Sequence, residues 1–159
     1  MPLEGAKSRK DSGNECPVPI RPERRYFYPI DWPIISRQIR FVRARGRCEA
    51  CARPHGRLIC QLADGRWFDE LAGQWLDDQG QQVPWPDIVD LAMQRQRRIW
   101  LGTAHLDHDP GNSNGSNLKA FCQRCHLRHD RAANLLRRRA RARARRALGD
   151  LFTGPNPLL

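Results

Sequence analysis

Two Cys-x-x-Cys pairs and a dense group of histidines hold the reactive side chains of this sequence. Cys48-Glu-Ala-Cys51 and Cys122-Gln-Arg-Cys125 are matching half-sites. Two residues between cysteines let both thiolates face one ion, and two such knuckles complete a closed tetrahedral zinc site. The chain between them is long, but loop-closure cost grows only logarithmically. Zinc binding, worth about 10–16 kcal/mol in peptides, exceeds that cost. Four cysteines suffice for zinc, so the histidines are free for other work. "AHLDHD" at 104–109 puts His105, Asp107 and His108 on or just past one strand. His126, His129 and Asp130 fall on the first turns of a helix, spaced to share a face. Such nitrogen and oxygen donors suit a hard divalent ion with open positions, with Mg2+, Mn2+ or another divalent ion expected. An imidazole beside that ion supplies a base, and base plus metal is what phosphodiester hydrolysis requires.

Two other readings of the cysteines are weaker. Cys122-Gln-Arg-Cys125-His126 also has the c-type haem attachment pattern. That chemistry needs export, and it leaves Cys48 and Cys51 without a purpose. A redox dithiol is opposed by the same second pair. Cys60 lies in an apolar run and reads as core, and Cys16 as incidental.

The elements that must position these groups are legible in outline. Residues 1–25, rich in Pro and charge, are expected to be disordered. A single domain is expected over 26–148, with a tail at 149–159. Asp31 is expected to cap a helix with Pro33 in its first turn. Ile34, Ile35, Ile39 and Val42 recur at helical spacing, and Gly46 can end the helix. Hairpins are expected around Asp64-Gly65 and around Gly80. "PDIVDLAMQRQRR" reads as a short helix, "RRIWLGTAHLDH" as the strand delivering the histidines, and "NLKAF" as a returning strand. "DPGNSNGSN" is a polar loop. A long helix is expected from Gln123 to Leu148, stopped by Gly149.

The formal charge is +11 and it is unevenly spread. Residues 131–146 hold eight Arg and no acid; residues 21–47 hold eight Arg against Glu23 and Asp31. Residues 48–130 are nearly neutral. Two basic arms around a neutral centre are a footprint for gripping phosphates, with DNA the expected partner. Arg37, Arg40 and Arg43 in the first arm, and Arg137, Arg138, Arg141 and Arg145 in the second, are the candidate contacts. No run of eighteen apolar residues exists, so no membrane span is expected, and the N-terminus has no apolar stretch of a signal peptide. A cytoplasmic location is expected, where thiols stay reduced and six cysteines suggest metal.

The stretch 103–130, with Cys48 and Cys51 upstream, resembles the zinc-supported HNH endonucleases of small bacterial and phage type. The matching residues are a hairpin histidine, the Asn of "NL" and the His of "CxxCH". "YPIDWPIISRQIRFVRARGRCEAC" is similar to the lead-in of such proteins, whereas 57–100 is an insertion without a readable motif. The resemblance implies an α+β, ββα-metal core: a hairpin, a helix and one catalytic divalent ion, beside a structural zinc. It implies DNA cleavage leaving a 5′ phosphate. Asn117 matches the asparagine that braces the hairpin loop and orients the base, and His126 matches the helix ligand to the catalytic ion. Two registers stay open for the first histidine. In one, His108 is the base and Asp107 the ligand. In the other, His105 is the base, within the strand and twelve residues before Asn117, with Asp107 or His108 as ligand. Ala104 stands where a ligand is usual. His129 or Asp130 stands where a further ligand or phosphate contact would lie. The alternative function is a zinc-stabilised nucleic-acid-binding protein without catalysis.

Overall fold

The computed structural model describes residues 22–147. Cys16, the helix end at Leu148, the Gly149 stop and the tail at 149–159 lie outside the described residues, as does most of the N-terminal segment. Where disorder is expected up to residue 25, Pro22–Phe27 instead form a 3-10 helix. The fold is mixed helix and sheet, and no described helix is long and apolar enough to cross a membrane.

The first helix, α1, spans Trp32–Arg37 and runs into a π-helical turn at Gln38–Arg43. Asp31 takes the cap position, but through its backbone: its carbonyl accepts from Ile34 and Ile35, and its side chain caps nothing. The π turn closes with i to i+5 bonds such as Ala44 N to Ile39 O, which widens the helix and turns later residues off the expected face. Ile39 is buried against Leu118 and Ala120, with Trp32 and Ile35 alongside, whereas Ile34 and Val42 face out. Arg45 and Gly46 both have positive φ and reverse the chain into the first cysteine knuckle.

Five strands form an antiparallel sheet: β1 (Leu58–Gln61), β2 (Trp67–Asp69), β3 (Gln74–Leu76), β4 (Gln82–Val83) and β5 (Arg95–Arg98), in the order β4-β3-β2-β1-β5. Tight turns join β1 to β2 and β3 to β4, and Gly65 and Gly80 supply the positive φ that those turns need. The short helix α2 covers only Ile88–Ala92, with Asp87 capping the Asp90 amide at 2.7 Å. The expected helical run over 86–98 therefore stops early. Arg95–Arg98 pairs residue for residue with β1, whose free edge outweighs the helix preference of its Arg and Gln.

Strand β6 (Leu101–His105) and β7 (Leu118–Cys122) form a second, two-stranded sheet, with His105 opposite Leu118. The loop between them contains a 3-10 turn at Gly115–Asn117. Helix α3 (Gln123–His129) starts directly from Cys122, and α4 (Arg131–Ala147) follows. The expected single helix is thus pinched at Asp130, where φ −77° and ψ −5° flatten one residue while the backbone bonds continue across it. Ser36 and Thr103 hydroxyls meet at 2.9 Å and tie α1 to β6. The main core gathers Ile59, Trp67, Leu76, Ile99, Leu101 and Phe121 around the four cysteines.

Candidate metal centre and histidine cluster

Cys48 and Cys51 sit on a tight turn in which the Ala52 amide donates to the Cys48 carbonyl and Ala52 adopts φ 60°. Cys122 ends β7 and Cys125 lies on the first turn of α3. The four sulfurs lie within 4.8 Å of one another and all four residues are buried. Sulfurs around one zinc, each about 2.3 Å from it, lie roughly 3.8 Å apart. The Cys51 and Cys122 sulfurs are 3.6 Å apart. The four cysteines are positioned to hold a metal ion, and the spacing is consistent with structural zinc.

Crowding splits the thiols. Hydrogen bonds from Cys125, Cys48 and Cys51 hold Cys122 far below the usual thiol range. Contact with Cys122 raises Cys48, but bonds with Cys125 and Cys51 bring it down to about 7. Cys51 and Cys125 are pushed up, chiefly by their bonds to Cys122. Without a cation the group shares protons, and a divalent ion would take their place. The Cys122 amide donates to the Cys48 sulfur at 3.3 Å, which further suits a thiolate. Cys60, on β1, is only partly buried.

The second cluster forms where the β6–β7 loop meets α3. His108, His129 and Asp130 offer ligand atoms within 4.8 Å of one another. Asp130 joins three elements: one carboxylate oxygen is 3.4 Å from His108 Nδ1, and the other is 3.6 Å from His126 Nε2. His108 and His129 stack with ring centroids 4.6 Å apart. His108 reaches this position by adopting φ 63°, an unusual backbone for its type. His126 is shifted below the ordinary imidazole range, burial being the main cause, so it is neutral and available as a ligand near pH 7. Two imidazoles and one carboxylate on a partly open surface, with His126 on the other Asp130 oxygen, could hold a divalent cation with vacant coordination positions.

His105 and Asp107 lie outside that ligand group. His105 is buried, stacks on Trp32 at 4.8 Å with Tyr28 at its edge, and keeps a buried Nε2 without a partner. Burial lowers its pKa too, against the opposing pull of Asp107 and Asp109. Its backbone carbonyl contacts His129 Nε2 at 3.2 Å, so it supports the cluster from behind. Asp107 is spent on the loop. Its carboxylate accepts from Asn117 Nδ2 (2.9 Å), Asn112 Nδ2 (2.7 Å) and the Asp109 amide (2.9 Å). Asn117 returns the bond, accepting from the Asp107 amide at 3.2 Å and donating to the Asn112 carbonyl at 2.8 Å. Asn117 thus braces the loop that carries His108.

These bonds, led by that from Asn117, hold the Asp107 carboxyl down to about 2. A lowered folded pKa stabilises the loop fully above the unfolded carboxylate value near 4 and is lost as pH falls toward 2. Asp107→Ala is expected to raise amide exchange at Asp109 and Asn117 at neutral pH. The unaltered loop should show the same opening only on acidification through that window, as read by hydrogen-exchange NMR.

The candidate phosphate contacts divide. Arg137, Arg138, Arg141 and Arg145 are exposed on α4, and Arg37 is exposed on α1. Arg40 donates to the Ser36 carbonyl and lies over the Phe41 ring. Arg43 pairs with both Glu49 oxygens (3.0 and 2.8 Å) and donates to the Gly115 and Leu118 carbonyls, so it clamps the protein to itself. The reach of Asp130 to His108 and the stacking of Trp32 on His105 are contributions that the motif spacing gives no direct sign of. No protein family model, curated protein or solved structure matches the chain.

Proposed function

We propose that the chain is a metal-dependent endonuclease of the HNH type, hydrolysing DNA phosphodiester bonds on a ββα-metal core made of β6, β7 and α3. The observation that carries this reading is the convergence of His108, His126, His129 and Asp130 at the junction of the hairpin loop and α3. A structural zinc at Cys48, Cys51, Cys122 and Cys125 would fix the start of α3 against β7. Mg2+ or Mn2+ would bind at the histidine–aspartate cluster. When bound, it would neutralise charge on the phosphoryl oxygens and on the departing 3′ oxygen.

The protein's own side chains do the rest. On this reading His108 joins the ligands, His105 acts as the base and Asp107 braces the loop. His105 accepts a proton from water as the water oxygen bonds to phosphorus. The bond from phosphorus to the 3′ oxygen breaks, and that oxygen takes a proton from solvent water, leaving a 3′ hydroxyl and a 5′ phosphate. Stacking on Trp32 orients the imidazole, and Asn117 holds the loop. The basic helix α4 supplies affinity through phosphates, with little reading of sequence.

Supercoiled plasmid incubated with Mg2+ or Mn2+ should be nicked or linearised, with 5′ phosphate ends. Tight DNA binding with no cleavage under any divalent ion would instead establish the non-catalytic binding protein. In the same assay, replacing Arg137, Arg138, Arg141 and Arg145 by Gln should weaken binding at all sequences alike. The slope of log affinity against log salt should become shallower by about 0.9 for each phosphate that is no longer neutralised.

A further inference from the structure

Arg53 has the only fully buried guanidinium among the described residues. Its Nη2 donates to the Gly65 carbonyl at 2.5 Å and to Asp78 at 3.1 Å. Its Nε and Nη1 are also buried, yet they find no acceptor. A buried cation with two idle donors is costly unless an anion lies on that side. The guanidinium lies over the Trp67 ring, 5.6 Å from its centroid, and the anionic group adjoining it is the four-cysteine centre. Cys51 is two residues away, and the Arg53 carbonyl accepts from the Cys48 amide at 3.0 Å.

The surrounding charges match this arrangement. Four thiolates around a divalent ion carry two net negative charges. Asp78 draws three guanidiniums to the same place: Arg53, Arg124 at 2.7 Å and Arg128 at 3.7 Å. Arg128 also lies 4.0 Å from the Cys125 sulfur. Three guanidiniums and one carboxylate leave two net positive charges beside the centre. Asp78 belongs to the turn between β3 and β4, and that turn leans on the knuckle: a Cβ on Gly80 would lie 3.3 Å from the Cys51 carbonyl carbon.

We propose that Arg53, fixed by Asp78 and joined by Arg124 and Arg128, is the positioning residue that supplies the counter-charge of the metal centre, so that metal retention and docking of the β3–β4 turn depend on the same interactions. This rests on the four cysteines holding a divalent metal and is independent of the nuclease reading.

The full chain is loaded with Zn2+ or Co2+ and compared with Arg53→Met, Arg53→Lys and Asp78→Asn. Transfer of zinc to a chromogenic chelator should be about tenfold faster in R53M, with R53K between R53M and the unaltered chain. The sulfur-to-cobalt charge-transfer band should move to longer wavelength in R53M, because the sulfurs lose a cationic neighbour; a packing defect alone leaves that band in place. Hydrogen exchange over 74–83 should rise in zinc-loaded R53M while β6 and β7 stay protected. D78N, at a partly exposed position, should shift zinc release and exchange the same way, by about threefold. Zinc release and a cobalt band in R53M that match the unaltered chain would overturn the proposal. Should R53M not fold, a folded D78N with unchanged release and unchanged exchange would overturn it equally. An unaltered chain that takes up no cobalt through sulfur would overturn the metal reading itself, and the proposal with it.

Discussion

Withdrawing the metal from the four-cysteine centre with a strong chelator is expected to abolish cooperative folding of the described core, not merely to lower its melting temperature. The four cysteines belong to the main apolar cluster, together with Ile59, Trp67 and Leu76 of the five-stranded sheet and Leu101 and Phe121 of the β6–β7 pair. Structural zinc contributes about 10–16 kcal/mol in peptide models, whereas a whole domain is stable by roughly 5–15 kcal/mol. Metal loss therefore exceeds the reserve. Near-ultraviolet circular dichroism should lose its tryptophan signal, since Trp67 and Trp75 are both packed in the interior. Cys122→Ser should do the same without a chelator. Because the ligands must shed protons to bind, apparent zinc affinity should rise with pH across the thiol range. A chelated chain that keeps a sharp unfolding transition would show that apolar packing alone sustains the core.

Asp130→Asn is expected to lower DNA cleavage by about 100-fold or more, the scale typical when a group supporting acid–base or metal chemistry is lost. His126→Ala and His129→Ala should fall in the same range, and double variants should add little, because the groups act as a unit. Binding measured without divalent ions should change less than about twofold, since α4 carries the phosphate contacts on this reading. The effect of Asn is informative because the volume is kept and only the charge is lost. His126 and His105 are both held below the ordinary imidazole pKa by burial. Their neutral forms therefore persist below about pH 6.5, and the acid limb of the pH–rate profile should lie below that value. His105→Ala should abolish turnover while leaving Mn2+ affinity, read by calorimetry, near that of the unaltered chain; His108→Ala should lose the ion. The reverse pattern would exchange the two roles.

Much of this arrangement is legible in the residues because it is local. A Cys-x-x-Cys pair fixes its geometry within four residues, and Asp64-Gly65 and Gly80 announce turns through the backbone they permit. What is not legible depends on partners far along the chain. Arg95–Arg98 has no apolar alternation, and only the open edge of β1 makes it a strand. Arg43 looks like one more phosphate contact until Glu49 and Leu118 are seen beside it. Asp107 has a ligand's chemistry, but three short bonds commit it to the loop. Asp130 meets His126 at the ordinary i,i+4 helical spacing, but its reach to His108 depends on where the β6–β7 loop lies against α3. His55, the remaining histidine, accepts from the Leu101 amide at 3.0 Å between Phe41 and Trp100, a packing role that spacing does not reveal.

The sheet insertion begins and ends at one narrow point. The Gly56 amide donates to the Ile99 carbonyl at 2.7 Å, and the Ile99 amide donates to the Arg57 carbonyl at 2.9 Å. Cys51 and Cys122 are 71 residues apart along the chain, but a path crossing this neck is less than half as long. Closing the neck first would spare the half-sites a search on the order of 0.5–1 kcal/mol in chain entropy. It also gives the folding reaction an order: β1 meets β5, the two knuckles are drawn together, and only then can an ion be captured. A chain released before Arg95–Arg98 has emerged would hold half a metal site, with two thiolates exposed to whatever cation or oxidant arrives first.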